Sequence, residues 1–385
     1  MIIKDNWNNN ISDFTQIVSD YLSTAETFSV VDGGILDEFE QKVADFFHKK
    51  YCVAFCNGTA AIHAASYALF GTGSTVNIPK YSYFGAVNAL LENRININIV
   101  DINSDSLLMD FTKKSSIVGD GNLMLTSVWG AGYSFDDLTE YKKQYPNAKI
   151  LMDNSHAYGT LYKGMNISSC KECDICCYSM GKGKFVDAGE LGIAITDNKN
   201  LAMQMMTIGH PNRLSKNKWF KGLSLDKNAI GNKYRPHSVA ILLASVQLKR
   251  LEEKLLKNRQ SSTLIADRLS LIDGISIQKQ SNDIERCYWK IPIKVDTNVL
   301  EINMLKFRDL LSENGIPVLD GFQYSDIKNF NTWTDIRYEG QLMWNTSIPK
   351  NNYENWLLLP GYVDISENDA ERFATSFTNA LNGCI

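Results

Sequence analysis

Ile150-Leu151-Met152-Asp153-Asn154-Ser155-His156-Ala157-Tyr158-Gly159 is the stretch on which the reading of this chain turns. Lys149–Met152 reads as a short strand, and it runs straight into a carboxylate. A charged group at the end of a buried strand is costly unless a positive partner meets it, so Asp153 marks either a site or the cap of the following turn. Working outward, short strands alternate with helical stretches. Residues 35–50 carry Leu36, Phe39 and Val43 at helical spacing. Tyr51–Phe55 reads as a strand, followed by a turn at Asn57-Gly58 and the Ala-rich helix Ala60–Leu69. Thr75–Ile78, Ile95–Asp101 and Leu123–Val128 read as further strands, with helices before Glu92 and over Phe135–Tyr145. This alternation predicts an α/β fold with a mostly parallel sheet and helices on both faces.

In open α/β sheets, ligands collect at the carboxyl ends of strands, and two more strand ends carry polar residues. Asn57-Gly58-Thr59-Ala60 combines a close backbone approach, a hydroxyl and the free N–H groups of a helix start. That suits a phosphate, although a plain helix cap has the same features. Strand Cys176–Tyr178 leads into Ser179-Met-Gly-Lys182-Gly-Lys184, then Gly189-Glu190-Leu191-Gly192. A lysine in a confined site sheds its proton and becomes a nucleophile. On spacing alone, a solvated basic loop explains the same residues equally well.

Beyond about residue 240 the texture changes. Val239–Asn258 and Ser261–Leu271 read as helices, then the strand Tyr288–Val295 mixes with helices Val299–Asn314 and Ser366–Leu381. The expectation is a large domain over residues 1–245, whose first thirty residues pack on either part, and a smaller α+β domain over 246–385. The chain has 385 residues, 44% of them apolar, which is enough to fill such cores. A net charge of -4 without basic blocks argues against nucleic acid as a partner. No signal peptide or membrane-spanning run is read, so a cytoplasmic protein is expected. Cys170, Cys173, Cys176 and Cys177 have partial iron–sulfur spacing, but adjacent third and fourth cysteines suit buried reduced thiols better, and no metal is expected.

Taken together, these motifs resemble the DegT/DnrJ/EryC1/StrS family of sugar aminotransferases over about Gly33 to Leu381. Gly34-Ile-Leu-Asp-Glu-Phe-Glu40, Asn57-Gly-Thr-Ala-Ala61, Pro79-Lys-Tyr-Ser-Tyr83 and Val100-Asp-Ile102 are similar to successive family motifs. So are Asp153 to Gly159, Ser179 to Lys184, Gly231-Asn-Lys-Tyr-Arg235 and Leu359-Pro360. The resemblance implies a pyridoxal phosphate enzyme of fold type I, the aspartate-aminotransferase-like fold. It selects Lys184 over Lys182 for the Schiff base and gives Asp153 the pyridine nitrogen. It sets His156 by the phenolic oxygen and Tyr83 on the ring, with Gly58, Thr59 and Ser179 at the phosphate. Lys233 stands where the family has an Asn that reaches the neighbouring subunit's phosphate, so it would act across a homodimer. Asn57, Leu191 and Pro211 also depart from the usual residues.

The reaction implied is transfer of an amino group from an amino acid, glutamate in most relatives, to a keto sugar, usually nucleotide-linked. A cyclitol, sugar phosphate or aminoshikimate-type acceptor fits the same motifs. Sugar dehydratases of this family replace the Schiff-base lysine by histidine, which Lys184 speaks against. A non-catalytic binding protein is the remaining alternative, and the intact set Asp153, Ser179 and Lys184 speaks against that.

Overall fold

The structure, a computed structural model, describes residues 11–25, 29–30, 33–112, 114–214, 216–220, 231–319, 342–343 and 355–384. Helices α1 (Ile11–Thr24) and α2 (Ile35–Phe46) lead into β1 (Tyr51–Phe55) and α3 (Gly58–Phe70). Then follow β2 (Thr75–Pro79), α4 (Phe84–Glu92), β3 (Asn96–Val100), β4 (Leu123–Thr126), α5 (Phe135–Gln144) and β5 (Ile150–Asp153). The short β6 (Leu161–Tyr162) and β7 (Met165–Asn166) precede β8 (Ile175–Ser179), β9 (Gly192–Thr196) and α6 (Lys199–Gly209). Most of these strands are buried almost throughout, as strands covered on both faces must be.

Eight strands form one sheet. Its order is β1-β9-β8-β5-β4-β2-β3, then β13 (Leu342–Met343) at the far edge. All neighbours from β8 to β13 pair in parallel, and β9 alone runs against both β1 and β8. The mostly parallel α/β architecture expected from the alternation is present. The antiparallel β9 was not foreseen, and it starts where β1 and β8 end: Gly192 pairs with both Phe55 and Ser179. A Cβ on Gly192 would stand 2.2 Å from the Asn57 carbonyl oxygen, so only glycine lets the three strand ends meet.

Helices α7 (Ser238–Leu248) and α8 (Leu251–Ser270) replace the expected break after Asn258 by one at Lys249-Arg250. The polar cluster Asn258, Ser261, Ser262 looks like a break in sequence. In the fold it lies buried inside α8 and serves other segments. Ser262 Oγ accepts the Tyr362 N–H at 2.9 Å, Ser261 Oγ accepts that of Ile365 at 2.9 Å, and Asn258 bonds both backbone groups of Tyr288. Helix α1 packs on α7. The second sheet is antiparallel, with β12 (Lys290–Val295) between β10 (Ile275–Ile277) and β14 (Trp356–Pro360). Helix α8 and the C-terminal helix Glu367–Asn382 cover it around a separate core that includes Ile293, Phe307 and Phe377. The expected helix Val299–Asn314 is two pieces, Thr297–Leu300 and Met304–Glu313, because Glu301 turns left-handed at φ 51° and Asn303 caps a new start. The small strand β11 (Ile284–Glu285) pairs with β6, bringing the stretch that follows it against the large sheet. Among the described residues no helix is long and apolar enough to cross a membrane.

Candidate active site

The parallel arrangement puts the carboxyl ends of β1, β2, β4, β5 and β8 on one side of the sheet. There a cavity of about 710 Å³ opens. Its lining includes Gly58, Thr59, Tyr83, Asp153, His156, Ser179 and Lys184, so seven of the residues singled out from sequence share one space. Lys233 is exposed and does not line it. The stretch Leu214–Leu225, which the sequence alone reads equally well as a substrate-side loop or a surface loop, lies partly outside the described residues.

One end of the cavity is built by a helix start. Asn57 caps α3 by accepting the Ala60 N–H at 2.8 Å, leaving the first turn of N–H groups around Gly58 and Thr59. A Cβ at Gly58 would stand 2.7 Å from that of Ser179, so glycine here brings the helix start against the end of β8. Ser179 is fixed on both backbone groups: its N–H donates to Ser155 Oγ at 2.9 Å and its carbonyl accepts from Tyr158 at 2.7 Å. Helix N-terminal N–H groups beside two hydroxyls favour an anion.

Asp153 is buried at the end of β5. Its Oδ1 accepts the Ser155 hydroxyl at 2.5 Å and the Ser155 N–H at 3.1 Å. Burial pushes its carboxyl above the usual range, while Ser155 and the charge of Lys184 pull the other way. Among the described residues it forms no direct ion pair. Lys184 hangs from a turn pinned on several sides. Gly183 and Gly189 donate their N–H groups to the Asp187 carboxylate, and Gln247 holds both backbone groups of Asp187. The Lys184 side chain is only partly exposed, and protein surrounds its amine. Desolvation lowers its pKa to about 7; Asp153 opposes the fall and Lys290 adds to it. The amine is therefore substantially unprotonated at neutral pH, whereas Lys182 lies exposed at the rim.

His156 packs against two indoles, 5.3 Å from Trp129 and 3.8 Å from Trp289 between ring centroids, and the indoles are themselves 5.4 Å apart. The backbone N–H of Trp129 donates to its Nδ1 at 3.3 Å, so the neutral ring carries its proton on Nε2. Burial keeps it neutral, and the lysines reinforce this. Trp129 holds a left-handed backbone (φ 58°), unusual for a bulky residue, and its carbonyl accepts from Arg286. Tyr83 is half-exposed at the mouth.

Several lining residues escaped the sequence reading, Trp129, Trp289 and Lys290 among them. Trp289 and Lys290 come from the start of β12. The Trp289 indole N–H donates to the Gly183 carbonyl at 2.7 Å, and the Lys184 amine lies 4.1 Å from its ring centroid. Tyr288–Val295 was expected as a strand, but no pattern in it says which side chains face a cavity formed with residues so distant.

A model of the DegT/DnrJ/EryC1/StrS aminotransferase family matches residues 12–378. A curated GDP-perosamine synthase from Escherichia coli O157:H7 is 23% identical over 269 residues, which is 69% of this chain and 71% of that protein. Two further curated relatives are matched over less than two thirds of their own lengths, 64% and 58%, and another over 90%. Among solved structures, 3-amino-5-hydroxybenzoic acid synthase superposes with a TM-score of 0.83 at 17% identity over 100% of both chains. A GDP-4-keto-6-deoxymannose-3-dehydratase superposes with a TM-score of 0.81 at 17% identity, over 98% of this chain and 99% of that one.

Proposed function

The chain belongs to the DegT/DnrJ/EryC1/StrS aminotransferase family, and from that premise we propose that it uses pyridoxal phosphate to move an amino group from an amino acid, glutamate first, to a keto sugar carried on a nucleotide. The observation that carries the reading is the pairing of a lysine amine with pKa about 7 and a buried carboxylate in one cavity, beyond a glycine-cradled helix start. The residues fit the cofactor at each of its ends. Gly58, Thr59 and Ser179 offer N–H and hydroxyl donors to the phosphate, and a side chain at Gly58 would fill that cradle. Asp153, lacking a direct ion pair among the described residues, suits a protonated ring nitrogen. The bound cofactor supplies an aldehyde carbon and an electron sink.

The chain's own groups do the rest. Lys184 Nζ would hold the cofactor's aldehyde carbon, and its unprotonated amine would take and return the proton at the donor's α-carbon. Asp153 holds the ring nitrogen's proton. His156, neutral and held by Trp129, would offer Nε2–H to the ring's oxygen, and Tyr83, which lines the cavity, would cover the ring. Residues 1–245 form the cofactor-binding part, and 246–385 supply Trp289 and Lys290. Lys233, exposed and outside the cavity, acts on the site of a second subunit in a cytoplasmic homodimer. Lysine at position 184 supports amination over dehydration. The named activity of the matched perosamine synthase supports a nucleotide sugar as acceptor.

The test is stoichiometric. Cofactor-loaded protein mixed with glutamate should yield one 2-oxoglutarate per site and then aminate a GDP- or UDP-linked 4-keto sugar. Turnover of the keto sugar without nitrogen transfer would contradict the reading.

A further inference from the structure

Besides Lys184 the cavity is lined by two lysines that this chemistry does not use, Lys182, exposed at the rim, and Lys290. Lys290 lines it, with its amine 4.9 Å from the centroid of the Trp289 ring, the same ring that the Lys184 amine approaches to 4.1 Å. The backbone bearing this pair has little freedom. Asn258 binds both the N–H and the carbonyl of Tyr288. The Cys287 carbonyl lies where a Cβ on Gly130 would meet it at 1.8 Å, and the Tyr288 carbonyl lies 1.9 Å from the corresponding point on Gly361. Lys290 itself pairs with Pro360 in the sheet. The indole is tied by its N–H to Gly183, next to Lys184. Two amines are thus presented over one rigid aromatic ring.

A second cation beside the reacting amine works against protonation of Lys184, and it also offers an anion a place next to the reacting nitrogen. In an α-amino acid the carboxylate is attached to the carbon that bears the amine. In a sugar nucleotide the phosphates stand a sugar ring away from the carbon that is aminated. We propose that Lys290 docks the α-carboxylate of the amino-acid donor, with Trp289 as the platform that sets its distance from Lys184; this rests on the aminotransferase reading above. The site then distinguishes its two substrates by charge, the donor using Lys290 and the keto sugar not.

The experiment compares wild type, Lys290→Met and Lys290→Arg, each loaded with pyridoxal phosphate and mixed with glutamate or with propylamine, which lacks the carboxylate. Amine exchange is followed by the change in visible absorption. Lys290→Met should need about tenfold more glutamate or greater for the same response, the scale of one charge-assisted hydrogen bond, with Lys290→Arg close to wild type. The propylamine response should stay within about twofold in all three, on the same scale of free energies. The retained cofactor band shows that a variant is folded, and Lys290→Arg carries the test if Lys290→Met is not. Equal weakening toward both amines overturns the proposal, as does an unchanged glutamate response. Weaker competition by UDP or GDP in place of weaker glutamate binding assigns the lysine to phosphate and also overturns it. A wild type that loads the cofactor but responds to neither amine sinks the aminotransferase reading itself, a result separable from the other three.

Discussion

Arg213 and Lys184 are both cations enclosed by protein beside carboxylates, yet their surroundings settle them in opposite ways. Arg213 is fully buried between Asp37 and Glu40 of α2, bonding Glu40 Oε1 at 2.9 Å and Oε2 at 2.6 Å and also reaching Asp37. Burial works against its charge, but the two carboxylates more than offset that and hold the guanidinium protonated; burial in turn raises Glu40 against the pull of Arg213. The cluster closes the sheet's edge. Glu40 accepts the Ala54 N–H of β1 at 2.9 Å, and the buried neutral His210 meets the Ala54 carbonyl at 2.7 Å. An edge strand that would otherwise offer unpaired groups is thereby sealed. At the other cluster, Asp153 is engaged mainly by Ser155, and desolvation of the Lys184 amine outweighs the opposing pull of Asp153, with Lys290 a smaller contribution in the same direction, so Lys184 loses its proton. Two carboxylates bonded directly to a buried cation give a clamp; desolvation that outweighs a carboxylate held by another group gives a nucleophile.

The comparison can be broken most severely at Lys184. Lys184→Ala should lower the glutamate half-reaction by about 10²–10⁴-fold or more, the range for loss of a general acid–base group, with little change in melting temperature. Arg213→Met should do the reverse. It leaves the buried Glu40 unopposed, with the partly buried Asp37 beside it, so unfolding in denaturant should show a loss of about 3–5 kcal/mol, while any folded fraction still captures the cofactor. If Arg213→Met costs nothing, the clamp is not what holds the edge. Gly58→Ala tests the cradle. Its Cβ would meet that of Ser179 at 2.7 Å, and overpacking of about 1–3 kcal/mol predicts roughly tenfold or more weaker cofactor binding by titration.

The smallest effects are in pH. Lys184 is protonated and unreactive below its pKa, so the rate of cofactor capture should rise with pH through a midpoint near 7. Asp153 favours the protonated amine and Lys290 disfavours it. The midpoint should therefore move down in Asp153→Asn and up in Lys290→Met. Shifts in the same direction for both would contradict the electrostatic account.

Much of this was legible in the sequence because it is local. The strand ends at Asn57, Asp153 and Ser179 follow from short apolar runs that stop on polar residues, and a parallel sheet carries them to one side. Choosing Lys184 over Lys182 was not local: spacing left both open, the family resemblance selected one, and burial of the amine beside Asp153 gives the physical ground for that selection. Trp289 and Lys290 were not legible, since they reach the site only through the pairings of β11 with β6 and of β12 with β14. Arg213 was missed for the same reason, its partners being more than 170 residues earlier in the chain. The serines of α8 misled because a polar cluster reads as a break until the segment it binds is known.

The central claim, that the Lys184 amine is the poised nucleophile of this cavity, is tested most directly by borohydride reduction of the protein with pyridoxal phosphate, then peptide mass spectrometry. The account predicts the covalent label on Lys184, formed with a midpoint near pH 7. A label on Lys182 or Lys290, or none on any lysine of the cavity, would contradict it.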